Sequence, residues 1–138
     1  AMVMKNPFSQ YVDNQINTAT PGRLIVLAYD GACRFAKAGL AAMKAGKLDD
    51  QSANITRVQA IISELMASLD HKANSQLAGS LASLYNYMFD KLTEANIHDN
   101  AEALEEVIGL LTDMRSAWAE AEIMVRSGRL STQEAVAA

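Results

Sequence analysis

Apolar residues recur every three or four positions through most of this chain, the period of an amphipathic helix rather than the alternation of a strand. The cleanest stripe is Ile55, Val58, Ile62, Leu65 and Leu69, which steps by three and four without a miss. Ahead of it, Leu24, Leu27, Ala28, Gly31, Phe35, Ala38 and Ala42 recur at helical spacing. Thr20-Pro21 supplies the start of that first helix: a threonine cap, then a proline where a missing N–H costs nothing. Gly46 suits the left-handed residue that closes it, with Lys44 and Lys47 near the negative end of the helix dipole.

The second helix is expected to begin at Asp49 or Asp50 and to break around Asp70-His71-Lys72-Ala73-Asn74. A third carries Leu77, Leu81, Leu84, Met88, Leu92 and Ala95 and frays at Asn96. Asp99 with Glu102 reads as a capping box for a fourth helix. That helix carries Leu104, Val107, Leu111, Met114, Trp118, Ala121 and Val125 and ends near Gly128. Four long helices on short connections pack most simply as an antiparallel up-and-down bundle. The expected fold is therefore all-α: a four-helix bundle over residues 20–127, a short helical leader over 1–19 and a mobile tail over 128–138. Ala1 to Val3, ahead of Met4, carry no part of this pattern.

Composition narrows this picture. At 138 residues the chain is one ordinary domain, and few prolines and glycines interrupt it. No apolar run approaches the ~20 residues that span a bilayer, and no signal peptide is visible. The single cysteine, Cys33, fits a reducing compartment, so a cytosolic location is expected. A net charge of −4 with scattered basic residues argues against nucleic acid, which needs clustered Lys and Arg. Arg23, Arg34, Lys37, Lys44 and Lys47 bias the first helix positive, while Glu102, Glu105, Glu106, Asp113, Glu120 and Glu122 bias the last negative. Complementary solvated faces between these two helices are the plainer reading, against an acidic-ligand site.

A helical bundle can house a di-metal carboxylate centre, which needs inward Glu residues and Glu-x-x-His pairs. Here the only histidines, His71 and His98, fall at helix ends, and Glu94 stands four rather than three residues before His98. Glu105 and Glu106 point about 100° apart around the axis and form no catalytic pair. Thr20-Pro21-Gly22-Arg23 lacks the second glycine and the Lys-Ser/Thr of a phosphate loop. Cys33 has no neighbouring histidine. No catalytic, metal or cofactor site is expected, and an enzyme is not the favoured reading.

The surplus is apolar. Leu24-Ile25-Val26-Leu27 covers more than one helix face, Ile61 and Met66 flank the second stripe, and Tyr85, Tyr87 and Phe89 flank the third. A bundle helix needs about three apolar positions per two turns. The excess serves either a wide core or a groove for a partner helix. Phe8, Tyr11, Val12 and Ile16 give the leader an apolar face of its own, able to plug such a groove.

The segment from Asn6 to Ala32 closely resembles the opening of the flagellin-specific export chaperones, the FliS family. The matching residues are Asn6-Pro7-Phe8, Tyr11, Thr18-Ala19-Thr20-Pro21, Leu24 and Tyr29-Asp30-Gly31. The likeness continues through Ile61-Ile62, Glu64-Leu65, Leu69-Asp70, Leu84-Tyr85-Asn86-Tyr87-Met88, Leu92, Glu94-Ala95-Asn96-Ile97, Glu105-Glu106-Val107 and Trp118. It departs at Ala28, where the family usually has a larger apolar residue, at Asn86, often acidic in the family, and across His71 to Ser80.

The resemblance implies a bacterial cytosolic bundle that binds the C-terminal disordered segment of flagellin and prevents its premature polymerisation. It also implies delivery to the flagellar type III export gate and contact with other flagellar regulators. It suggests Leu24, Leu27, Ile55, Val58, Ile62, Leu65 and Tyr87 as client-binding residues. Tyr11 and Ile16 stand as leader or docking residues, and Asp30 and Asn96 as family-matched polar positions that either brace the fold or touch the client. The competing expectation is a helical assembly domain whose surplus apolar surface makes a permanent homo-oligomer; a homodimer when free of client is also expected of the chaperone reading. Direct membrane insertion is not expected.

Overall fold

The computed structural model describes residues 20–128, which form four helices: α1 (Pro21–Lys44), α2 (Leu48–Ala67), α3 (Ser75–His98) and α4 (Ala101–Arg126). The leader residues Tyr11 and Ile16, the 1–19 segment and the tail beyond residue 128 lie outside the described residues. The helices pack as a bundle in which α1 lies between α2 and α4, and α3 closes the other side.

Local chemistry accounts for the helix ends. The Thr20 hydroxyl accepts from the Arg23 amide at 3.1 Å, and Pro21 occupies the first helical position. Gly46 at φ +71° reverses the chain into α2, which begins one residue before the expected Asp49. Between α2 and α3, Asp70 Oδ1 accepts from the Lys72 and Ala73 amides, and Asn74 Oδ1 then caps α3 by accepting from Leu77.

The last turn differs from expectation. The third helix runs through Asn96 to His98, and Asp99 takes the left-handed conformation at φ +50° that ends it. The cap of α4 is Asn100, whose Oδ1 accepts from the Ala103 amide at 3.2 Å. Asp99 is held in its unusual conformation from outside: its Oδ1 accepts from Gln51 Nε2 at 2.8 Å.

The core face of α1 also differs. Its buried residues are Val26, Tyr29, Ala32, Ala36, Gly39 and Ala42, not the Leu24-Leu27-Gly31-Ala38 row. Leu24 is 40 % exposed. The reason is proximity: α1 packs tightly on both neighbours, and a row of Ala and Gly lets the backbones approach. A Cβ at Gly39 would stand only 3.3 Å from Ile55 Cγ1. Ile25, Ala28, Phe35 and Leu40 flank that row and pack against the edge of the core.

On α2 the expected stripe holds, with Ile55, Val58, Ile62 and Leu65 all buried. On α3 the buried row is Ala78, Tyr85, Met88, Leu92 and Ala95, so its N-terminal half is turned one residue from the Leu77-Leu84 row. Leu104, Val107 and Leu111 complete the core from α4.

Candidate functional site

At the end of the bundle where α1 begins, the helices do not close fully. A cavity of about 130 Å³ lies between Ile25 of α1, Leu65, Ser68 and Leu69 at the end of α2, Leu77, Leu81 and Tyr85 of α3, and Trp118 of α4. The α2–α3 connection contributes Asp70 and Asn74 to its rim. Its walls are mostly apolar. Small-molecule and cofactor pockets run to about 300–1,000 Å³, while a cavity near 150 Å³ holds one benzene-sized group. This one therefore suits one or two apolar side chains from a peptide.

The wall of the cavity rests on a buried polar contact. Tyr85 lines the space, and its hydroxyl lies 2.5 Å from that of Tyr29 in the interior. Burial pushes both phenols above the ordinary tyrosine value, and for Tyr29 its hydrogen bond with Tyr85 adds to the rise. Both stay protonated at neutral pH, one donating and the other accepting. Half-buried Leu77, Leu81, Leu69 and Trp118 are thus presented on a braced floor.

The residues singled out from the sequence do not form one surface. Ile55, Val58 and Ile62 are fully enclosed in the core, and Leu65 alone of the seven lines the cavity. Leu24 is exposed and Leu27 half-buried, one turn apart on α1. Tyr87 is 43 % exposed and faces α4, donating to the Glu106 carboxylate at 2.6 Å. That bond is the main reason its phenol stays protonated above the usual range. The ammonium of Lys91 lies 5.8 Å from the Tyr87 ring centroid.

Both polar positions make structural bonds. Asp30 Oδ1 accepts from Arg115 Nε at 2.6 Å, joining α1 to α4. Asn96 Oδ1 accepts from Gln51 Nε2 at 3.3 Å, and its Nδ2 donates to Ser52 Oγ, also at 3.3 Å. Gln51, buried at the opposite end of the bundle from the cavity, was not marked by the sequence pattern, because a polar residue at the start of a helix ordinarily reads as solvated.

Among the described residues, no group of three or more His, Cys, Asp and Glu side chains is placed to hold a metal ion. No helix among them is long and apolar enough to cross a membrane.

The family model for the flagellar protein FliS matches residues 4–125. The flagellar secretion chaperone FliS of Bacillus subtilis is 36% identical over 120 residues, covering 87% of this chain and 89% of its own. Flagellar secretion chaperone FliSB of Pseudomonas aeruginosa is 33% identical over 107 residues, 78% of this chain and 85% of its own. The FliS of Salmonella typhimurium is 32% identical over 108 residues, 78% of this chain and 80% of its own.

Proposed function

The chain belongs to the FliS family of flagellar proteins, and on that premise we propose that its client is the C-terminal segment of flagellin. The protein is a flagellar secretion chaperone, not an enzyme. The observation that supports flagellin as the client is the apolar cavity between Ile25, Leu69, Leu77, Leu81 and Trp118. It takes side chains rather than a small molecule, and it sits where four helix ends leave a seam for a client helix.

The client contacts extend from that cavity along the surface to Leu24 and Leu27. Ile55, Val58 and Ile62 lie in the core and support the bundle rather than touch the client. Tyr87 offers a further contact on the α3–α4 side. A segment that polymerises by helix packing is silenced when its apolar face is buried here. Ordering a disordered client offsets part of the contact energy, which suits a cargo that must be released later.

The leader, with Tyr11 and Ile16, covers the cavity until the client displaces it, and serves in docking at the export gate. The protein works in the bacterial cytosol. Asp30 and Asn96 brace the bundle from within.

Calorimetry and circular dichroism with the flagellin C-terminal region from the same genome test this reading. One-to-one binding with a gain in helicity is the expected result. No heat at tens of micromolar peptide with folded protein would refute it for this client. A tight dimer in sedimentation that flagellin leaves unchanged would favour a permanent homo-oligomer instead.

A further inference from the structure

The outer seam between α1 and α4 carries a second concavity, an open cleft of about 430 Å³ lined by Asp30, Cys33, Arg34, Lys37, Thr112 and Arg115. Three of its six lining residues are cations, in a chain whose net charge is −4. Their charge is incompletely answered. Asp30 accepts from Arg115 by Nε alone, at 2.6 Å, so among the described residues the terminal nitrogens of that guanidinium make no hydrogen bond. Arg34 and Lys37, about one helical turn apart, have no ion-pair partner among the described residues either. Further along α1, Lys44 reaches Glu105 at 3.7 Å, so among the described residues Arg34 and Lys37 stand unpaired between two ion pairs that join these helices.

The arrangement does more than leave charge in solvent. Asp30 fixes the Arg115 guanidinium by one edge and leaves its forked end free, the geometry that receives a carboxylate through two parallel bonds. Arg34 is also oriented, its guanidinium 5.3 Å from the Phe35 ring centroid. Charges held in a concave seam focus potential more strongly than the same charges on a flat face.

We propose that this cleft is a binding site for an acidic segment of a partner protein, with one carboxylate on the free fork of Arg115 and a second between Arg34 and Lys37. A polyphosphate backbone fits less well. Phe35, the aromatic beside the cleft, is half-buried and carries Arg34 and Arg57 over its ring, leaving no stacking platform for bases. The site is separate from the apolar cavity and is independent of what occupies that cavity.

The test is an amide NMR titration of the full chain with a capped peptide of four Glu-Ala-Ala-Ala repeats, alongside its glutamine counterpart. Shifts confined to residues 30–37 and 112–115, weakened at physiological salt and absent with the glutamine peptide, are expected. The double variant R34Q/K37Q, which breaks no ion pair among the described residues, should weaken binding about tenfold or more while keeping the fold. Shifts elsewhere, equal binding of the glutamine peptide, or full affinity in R34Q/K37Q would overturn the proposal. Tighter binding of an equally charged single-stranded oligonucleotide in the cleft would reassign the site to phosphate and overturn the choice of an acidic peptide.

Discussion

The hydroxyls of Tyr29 on α1 and Tyr85 on α3 meet 2.5 Å apart inside the bundle, a polar tie between two helices that otherwise touch little. Each phenol satisfies the other in a place where water cannot. Tyr29→Phe leaves the Tyr85 hydroxyl without its partner and should cost about 1–3 kcal/mol, as should Tyr85→Phe. The double phenylalanine variant should lose clearly less than the sum of the two. Urea unfolding of the four proteins measures this, and additive losses would show that the contact is not a coupled pair.

The same pair sets an alkaline limit. Burial raises both phenols above their ordinary value of 10.0, so the folded state resists losing a proton that the unfolded chain gives up. A raised folded value means that the contribution is fully present below pH 10.0 and is lost as pH climbs beyond it. Stability should therefore fall above about pH 10, by up to about 1.4 kcal/mol per pH unit for each tyrosine. The double phenylalanine variant should show a shallower decline in thermal melts across that range.

Much of the fold is legible in the sequence because caps and apolar period are local. Thr20-Pro21, Gly46 and the Ile55 to Leu65 stripe act within a turn or two of themselves. The face of α1 was not legible, because hydrophobicity favours the leucines whereas helix proximity favours Ala32, Ala36 and Gly39. Asp99 and Asn100 are both good caps, and Asp99, which turns left-handed, is bonded there by Gln51 from far away in the chain. The candidate site was harder still. Period shows which residues share a helix face, but the cavity is made where four helix ends fail to meet. Trp118 and Leu77 therefore read as core, and Ile62 as a client contact.

Glycines separate close packing from open surface. A Cβ at Gly39 already stands 3.3 Å from Ile55, so Gly39→Leu forces α1 and α2 apart and should cost about 1–3 kcal/mol or more. Gly79 and Gly109 lie inside helices with nothing within 4 Å of an added Cβ. Alanine at either should stabilise by about 0.5–1 kcal/mol through helix propensity alone. Differential scanning calorimetry of the three variants gives the order directly; a lower melting temperature for Gly79→Ala and Gly109→Ala would contradict it.

Leu77 lines the cavity but is only half-buried and stands apart from the core cluster, so it can be altered without unfolding the bundle. Leu77→Ser should weaken flagellin peptide binding about tenfold while moving the melting temperature little, since a buried leucine anchor is worth about 1.5–3 kcal/mol. Leu48→Ser is the control: Leu48 is 61 % exposed at the far end of the bundle. Equal losses in both variants would place the client elsewhere.

The leader carries Phe8, Tyr11, Val12 and Ile16 immediately ahead of Thr20, and Thr20 sits at the end of the bundle where the cavity opens. Nineteen residues precede that point, a reach of up to about 3.3–3.6 Å each, far more than the mouth requires. If the leader competes for the cavity, the client must displace it, and its apparent affinity is reduced by the fraction of chains that are covered. Removing Lys5 to Ile16 should then tighten flagellin binding, mainly by speeding association. An apolar probe such as a benzene derivative should also enter the cavity more readily in the truncated chain. Unchanged affinity after truncation would mean that the leader does not cover the cavity, and would leave Tyr11 and Ile16 only a docking role. Weaker affinity would mean that the leader itself holds the client, reversing the sense of the regulation.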